Sequence, residues 1–186
     1  MRRRAALKSL AAGGSLLAGC STLGPANSSS STSEQPTHPR ITLRQQTYDE
    51  NRRIIEGGLT GANPERRFVT LLNEAPETAR FNTDYLSQFE GSMKLLTFVK
   101  ETDFDRFSLF IFQAVLPSGG YSLQLTELLN ANGTVHAKLT EQSGNGDSSQ
   151  VIETLTVRFE KSNYFAANFY VRLTTADGRV EIIDSG

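Results

Sequence analysis

Apolar and polar residues alternate in run after run between Tyr121 and Ile183. Tyr121, Leu123 and Leu125 alternate with Ser122, Gln124 and Thr126. Val135, Ala137 and Leu139 alternate with Thr134, His136, Lys138 and Thr140. Leu155, Val157 and Phe159 alternate with Thr154, Thr156 and Arg158, and Phe169, Val171 and Leu173 with Asn168, Tyr170, Arg172 and Thr174. A period of two sends successive side chains to opposite faces of a strand. Each run therefore has one face to bury and one to wet, so such a chain must stack its sheets or close them. Asn132-Gly133 and Asp177-Gly178 separate neighbouring runs, and these residue types accept the positive φ of a hairpin turn. Ser143–Ser149 reads as a polar loop.

Two apolar runs precede this region. Phe107–Leu116 is nearly continuous and rich in Phe, which predicts a strand covered on both faces. Pro117-Ser118-Gly119-Gly120 punctuates it. Lys94–Lys100 is shorter and predicts another strand. The N-terminal third is less regular. Arg67–Leu72 predicts a strand, and Asp49–Glu56 a short helix stopped by Gly57-Gly58. Asn82 predicts the cap of a helix running to Phe89 and ended by Gly91. The sum is seven or eight short antiparallel strands with one or two short helices in the N-terminal third. The predicted class is mainly β, an antiparallel β-sandwich or barrel. An α+β layer, with helices covering one sheet, is the alternative.

The first nineteen residues belong to a different kind of segment. Arg2-Arg3-Arg4 precede an Ala- and Gly-rich apolar stretch that ends in Leu17-Ala18-Gly19-Cys20. A basic start, a short apolar run and small residues before a cleavage point describe a secretory signal. The run is shorter than the roughly 20 apolar residues of a membrane-spanning helix. Arg3-Arg4-Ala5-Ala6-Leu7-Lys8 resembles the twin-arginine export motif, with Ala6 where Phe is usual. Leu-Ala-Gly-Cys followed by Ser21 resembles the bacterial-type lipobox, which implies cleavage before Cys20 and a thioether-linked diacylglycerol on it. Cys20 is the sole cysteine, so the domain holds no disulfide, no Cys-ligated metal and no cysteine nucleophile.

Residues 20–39 read as the lipidated Cys and a Ser-rich flexible tether, because Ser, Thr, Pro, Asn and Gln bury too little surface to order themselves. A tether of this length spans roughly 25 Å. Residues 40–186 suit a single globular domain that buries about two thirds of its unfolded surface. Without residues 1–19 the chain keeps 15 basic residues against 20 acidic ones, a net charge of −5. That balance argues against binding a phosphate backbone, which needs a basic face. Asn27-Ser28-Ser29 and Asn132-Gly133-Thr134 fit the glycosylation pattern.

The sequence supplies no recognisable catalytic constellation. Of its two His residues, His38 falls in the tether and His136 on the polar face of a strand. No pair of His has metal-ligand spacing, and neither a Gly-x-Ser-x-Gly elbow nor a Ser-x-x-Lys occurs. No metal and no cofactor are expected. Glu101, Asp103 and Asp105 place three carboxylates within five residues, all facing one way if the segment is extended. Paired carboxylates can do acid–base work or bind Ca²⁺; a solvated turn beside Arg106 is the alternative.

Ser118-Gly119-Gly120-Tyr121 is the most distinctive local motif. Its glycines permit unusual φ or close approach of another backbone. Either Tyr121 anchors a binding edge, or the turn links two core strands. Tyr164 and Phe165 similarly form an exposed contact patch or cap the core. The apolar strand, Ser-Gly-Gly-Tyr-Ser, the alternating strand and the Asn-Gly turn together resemble, over residues 107–160, the small C-terminal domain of protease-complex accessory proteins. That family's later Pro-Tyr element is replaced here by Asn163-Tyr164-Phe165. Over its whole length, including Thr102-Asp103-Phe104, the chain resembles twin-arginine-exported lipoproteins of haloarchaeal type.

The expectation from sequence is a protein anchored in the cell membrane through a lipid on Cys20 and facing outward. Its domain is expected to bind another envelope protein or envelope component through Ser118–Tyr121 and Tyr164-Phe165, and no nucleic acid. A hydrolase using Glu101, Asp103 and Asp105, and a structural lipoprotein without a ligand, are the alternatives.

Overall fold

The computed structural model describes residues 38–46, 52–61, 65–88, 91–161 and 165–186. Its strands are β1 (Arg40–Gln46), β2 (Arg67–Leu72), β3 (Phe107–Leu116), β4 (Ser122–Ala131), β5 (Thr134–Gln142), β6 (Val151–Glu160), β7 (Asn168–Thr174) and β8 (Val180–Asp184). A 3₁₀ turn (Ala75–Arg80) and two helices, α1 (Thr83–Leu86) and α2 (Ser92–Lys100), lie between β2 and β3. The fold is mainly β, with two four-stranded sheets ordered β1-β6-β3-β2 and β4-β5-β7-β8.

The continuous apolar character of β3 has the physical cause its sequence suggests. Phe110, Phe112, Ala114 and Leu116 point toward the second sheet and pack with Val157, Val135, Leu139, Val171 and Leu173. Leu109 and Ile111 point the other way, onto Leu95, Leu96 and Val99 of α2 and onto Ile54, Ile55 and Phe81. Each fully buried Leu, Ile or Phe contributes about 1.5–3 kcal/mol, so both faces of β3 hold the fold together. The helical segments thus cover the outer face of the first sheet. On the outer face of the second sheet, Leu129, Tyr170 and Ile182 stay exposed.

Both turn signals form hairpins. Asn132 and Gly133 take φ of 52° and 80° between β4 and β5. Gly178 takes φ of 85° in the Thr175–Arg179 turn, where Thr175 N donates to Arg179 O at 2.8 Å. Arg67–Leu72 is a strand with the expected bounds. Asn82 caps α1, its side-chain oxygen accepting from Tyr85 N at 3.0 Å. That helix stops at Leu86 rather than Phe89, and Gly91, at φ 83°, opens the next helix instead of closing this one.

Three expectations are corrected. Lys94–Lys100 is helix, not strand: Ser92, Leu95, Leu96 and Val99 are buried at i, i+3, i+4 and i+7, the stripe of a helix on a core. Residues 52–56 are not helical; Ile55 pairs with Phe81, and Glu56 N donates to Arg80 O at 2.9 Å. Asp49–Asn51 lie outside the described residues. Finally, one of the six strand pairs, β5 with β7, is parallel. The chain leaves β5, runs back along the other sheet as β6, and so returns as β7 in the direction of β5.

Candidate functional site

The strands define two ends of the sandwich. One end holds the start of β1 and β3 and the close of β4 and β6. The other holds the close of β3 and β5 and the start of β4 and β6.

The Ser118–Tyr121 turn stands at the second end. Tyr121 N donates to Ser118 O at 3.1 Å, and Gly120 N to Ser118 Oγ at 3.3 Å. Arg44, on β1, donates from Nη1 to Gly119 O (2.8 Å), from Nη2 to Tyr121 O (2.9 Å) and from Nε to Glu153 (2.8 Å). The other Glu153 oxygen accepts from Leu123 N at 2.8 Å. The Glu153 side chain is 1% exposed. Its burial pushes the carboxyl above the ordinary range, against the opposing pull of Leu123 N and Arg44. A Cβ on Gly120 would lie 2.6 Å from Asn145 C and from Gly146 N, so this glycine serves close backbone approach. The turn's carbonyls and glycine are thus engaged within the fold.

Tyr121 and Pro117 also line a cleft of about 420 Å³ with Arg67, Glu141, Arg179 and Glu181. Arg67 bonds to Glu141 at 2.6 Å and to Glu181 at 3.1 Å, and Arg179 to Asp177 at 2.7 Å. The Arg179 guanidinium and the Thr175 hydroxyl hold Asp177 well below the usual carboxylate range. Charges in this cleft are largely neutralised by one another.

The carboxylate trio is not extended. Glu101 closes α2, Asp103 O accepts from Phe107 N at 2.9 Å, and Asp103 Oδ1 accepts from Asp105 N at 3.1 Å. All three are exposed around a turn, and no group of three His, Cys, Asp or Glu among the described residues is placed to hold a metal. His136 lies exposed on the outer sheet face, 5.7 Å from the Tyr170 ring. Phe165 is 61% exposed, and Tyr164 lies outside the described residues.

The first end carries a larger opening. A cleft of about 580 Å³ is lined by His38 and Pro39, by Phe107, by Leu128, Leu129 and Asn130, and by Arg158–Lys161. This is the size range of small-molecule sites, and so is its character, apolar walls with a few polar groups. His38 Nε2 bonds to Leu128 O at 3.1 Å, so a residue read from sequence as part of the tether is fixed to the domain. Arg158 donates to Phe98 O at 2.8 Å and to Thr102 Oγ1 at 3.2 Å, and its guanidinium lies 4.5 Å from the Phe98 ring centre. Lys161 Nζ donates to Phe104 O. The Asn130 amide has buried Nδ2 and Oδ1 atoms with no hydrogen-bond partner, an arrangement that costs about 1–3 kcal/mol for a buried polar group.

Sequence reasoning missed this cleft for identifiable reasons. A bulge between Leu125 and Glu127 shifts the phase of β4, turning Leu128 inward and Leu129 outward. Uninterrupted alternation hides that exchange. Arg158 occupied a polar slot in its run, and nothing local marked it as a cleft residue. No protein-family model, no curated protein and no solved structure matches this chain.

Proposed function

We propose that this chain is a lipid-anchored surface protein whose domain binds an envelope component. Arg3 and Arg4 direct twin-arginine export, Cys20 carries a diacylglycerol, and the tether holds the domain at the outer face of the cell membrane. Two acyl chains anchor stably where one does not. The mild negative charge of the domain sets nucleic acid aside as a ligand.

One observation carries the binding reading. The chain joins the domain at His38, and His38 is itself part of the wall of the 580 Å³ cleft. The first described residue of the domain and this cleft therefore lie at the same end. The walls come from strand ends of both sheets, so the site is held by the sandwich rather than by a loose loop.

Photo-crosslinking on intact cells tests this. A crosslinking residue at Leu129, in the cleft wall, is expected to give a discrete adduct in the membrane fraction. The same group at Ser148, exposed in the loop after β5 at the other end, is expected to give none. No adduct at Leu129, or the same adducts at both positions, would refute the reading.

A further inference from the structure

We propose that the cleft at the β1 end takes a ligand with one negative charge on an apolar chain. The inference rests on the binding-module reading and names the ligand class for that cleft.

The argument starts from charge. Arg158 and Lys161 line the cleft, and the carboxylate beside them is Glu160. The formal charges of Arg158, Lys161 and Glu160 sum to +1, which a monoanion balances and a dianion overshoots. Among the described residues neither cation makes an ion pair; Arg158 has Phe98 O and Thr102 Oγ1 as its acceptors, and Lys161 has Phe104 O. Those are neutral oxygens. An anionic oxygen would form the stronger, charge-assisted bond. The Asn130 amide adds a donor and an acceptor with no present partner.

The rest of the wall is apolar. Phe107, Phe159 and Leu128 line it, and Leu129, 48% exposed, stands at it. Leu128 and Phe159 are buried core residues that form the base of the cleft, and the exposed surface of Leu129 and Phe107 gains by covering a hydrocarbon chain. A polar anion such as phosphate would leave that surface unused, and a neutral hydrocarbon would offer Lys161 no anionic partner and leave the Asn130 amide unpaired. A free long-chain carboxylate and an anionic membrane lipid share the required chemistry.

The test uses the full chain carrying Cys20→Ser, which removes the acceptor of the lipid and leaves the domain's sequence intact. The probe is 11-(dansylamino)undecanoate, followed by fluorescence, against its uncharged methyl ester. Saturable binding of the acid, at least tenfold tighter than the ester, is expected. Lys161→Gln is expected to weaken the acid about tenfold, the effect of losing one charge-assisted hydrogen bond. Lys161→Arg is expected to retain binding, which separates loss of charge from damage to the fold. Glu160→Gln, at an exposed position, is expected to tighten it two- to threefold. Co-sedimentation with phosphatidylglycerol and phosphatidylcholine vesicles distinguishes the sources. Lys161-dependent binding to the former alone makes a membrane lipid the ligand, and acid binding without sedimentation makes it the free amphiphile. Equal affinity for acid and ester, or no effect of Lys161→Gln in either arm, overturns the proposal. A Leu129 adduct on cells that persists in Lys161→Gln would overturn it while leaving the binding-module reading standing.

Discussion

Arg44→Met is the most informative single substitution for the fold. Arg44 faces Glu153 directly across the β1–β6 pair and bonds to it at 2.8 Å. The Glu153 side chain is 1% exposed, and that of Arg44 44%. Removing the cation leaves a buried carboxylate with Leu123 N as its remaining partner. Stranding one member of a buried ion pair costs about 3–5 kcal/mol. Nearly half of Arg44 stays in water, which screens the interaction, so the expected loss at pH 7 is the low end, about 3 kcal/mol. For a domain of this size that lowers Tm by about 6–12 °C. The pH dependence identifies the cause. Burial raises the folded Glu153 carboxyl above its ordinary 4.5, so the native state binds this proton more tightly than the unfolded chain. Its contribution to stability is then greatest below 4.5 and falls as pH rises through the folded value. Without Arg44 burial acts with less opposition, the folded value climbs further, and the variant recovers stability on acidification. Urea unfolding of both proteins at pH 5 and pH 7 measures this. The gap is expected to be smaller at pH 5, and Arg44→Met/Glu153→Gln should recover most of it at pH 7. An equal gap at both pH values would refute the argument, because the carboxylate would then not be the cause.

Four further outcomes follow from individual contacts. Gly120→Ala is expected to lose about 1–3 kcal/mol by overpacking against the Asn145–Gly146 backbone. Gly119→Ala, whose Cβ meets the Asp147 side chain at 3.0 Å, should stay within about 0.5 kcal/mol in the same thermal melts. Gln113→Leu removes the acceptor for Leu59 N (2.8 Å) and the donor to Thr154 Oγ1 (2.9 Å), both buried; urea titration should show a loss of about 2–4 kcal/mol. Asn82→Ala removes the α1 cap and should cost about 1 kcal/mol in the same assay.

The fold was legible wherever one local rule acted alone. Phe107–Leu116 reads as doubly covered because both faces of a strand are apolar only when both are buried, and β3 separates two cores. Asn132-Gly133 reads as a hairpin because its backbone needs positive φ at both residues. The misreadings arose where two rules gave the same pattern. A seven-residue apolar run fits a strand or a helix, and what made Lys94–Lys100 helical was the first sheet beneath it. The parallel β5–β7 pair depends on β6 joining the other sheet, a long-range choice absent from local alternation. The site was less legible than the fold. Ser118–Tyr121 stands out in sequence for its paired glycines, and in the fold Gly120 admits the close approach of another backbone. The cleft residues His38, Leu129, Asn130 and Arg158 come from three separate strands or strand margins. Only the folded register brings them together.

The central claim is that a lipid on Cys20 holds this domain at a membrane. Intact-mass measurement of the full chain extracted from the membrane fraction tests it directly, with Cys20→Ala alongside. The account predicts a chain beginning at Cys20, heavier by a diacylglycerol, and a Cys20→Ala protein that leaves the membrane fraction. A membrane-bound chain that retains residues 1–19 in both proteins would contradict it, because the apolar N-terminal run would then itself be the anchor.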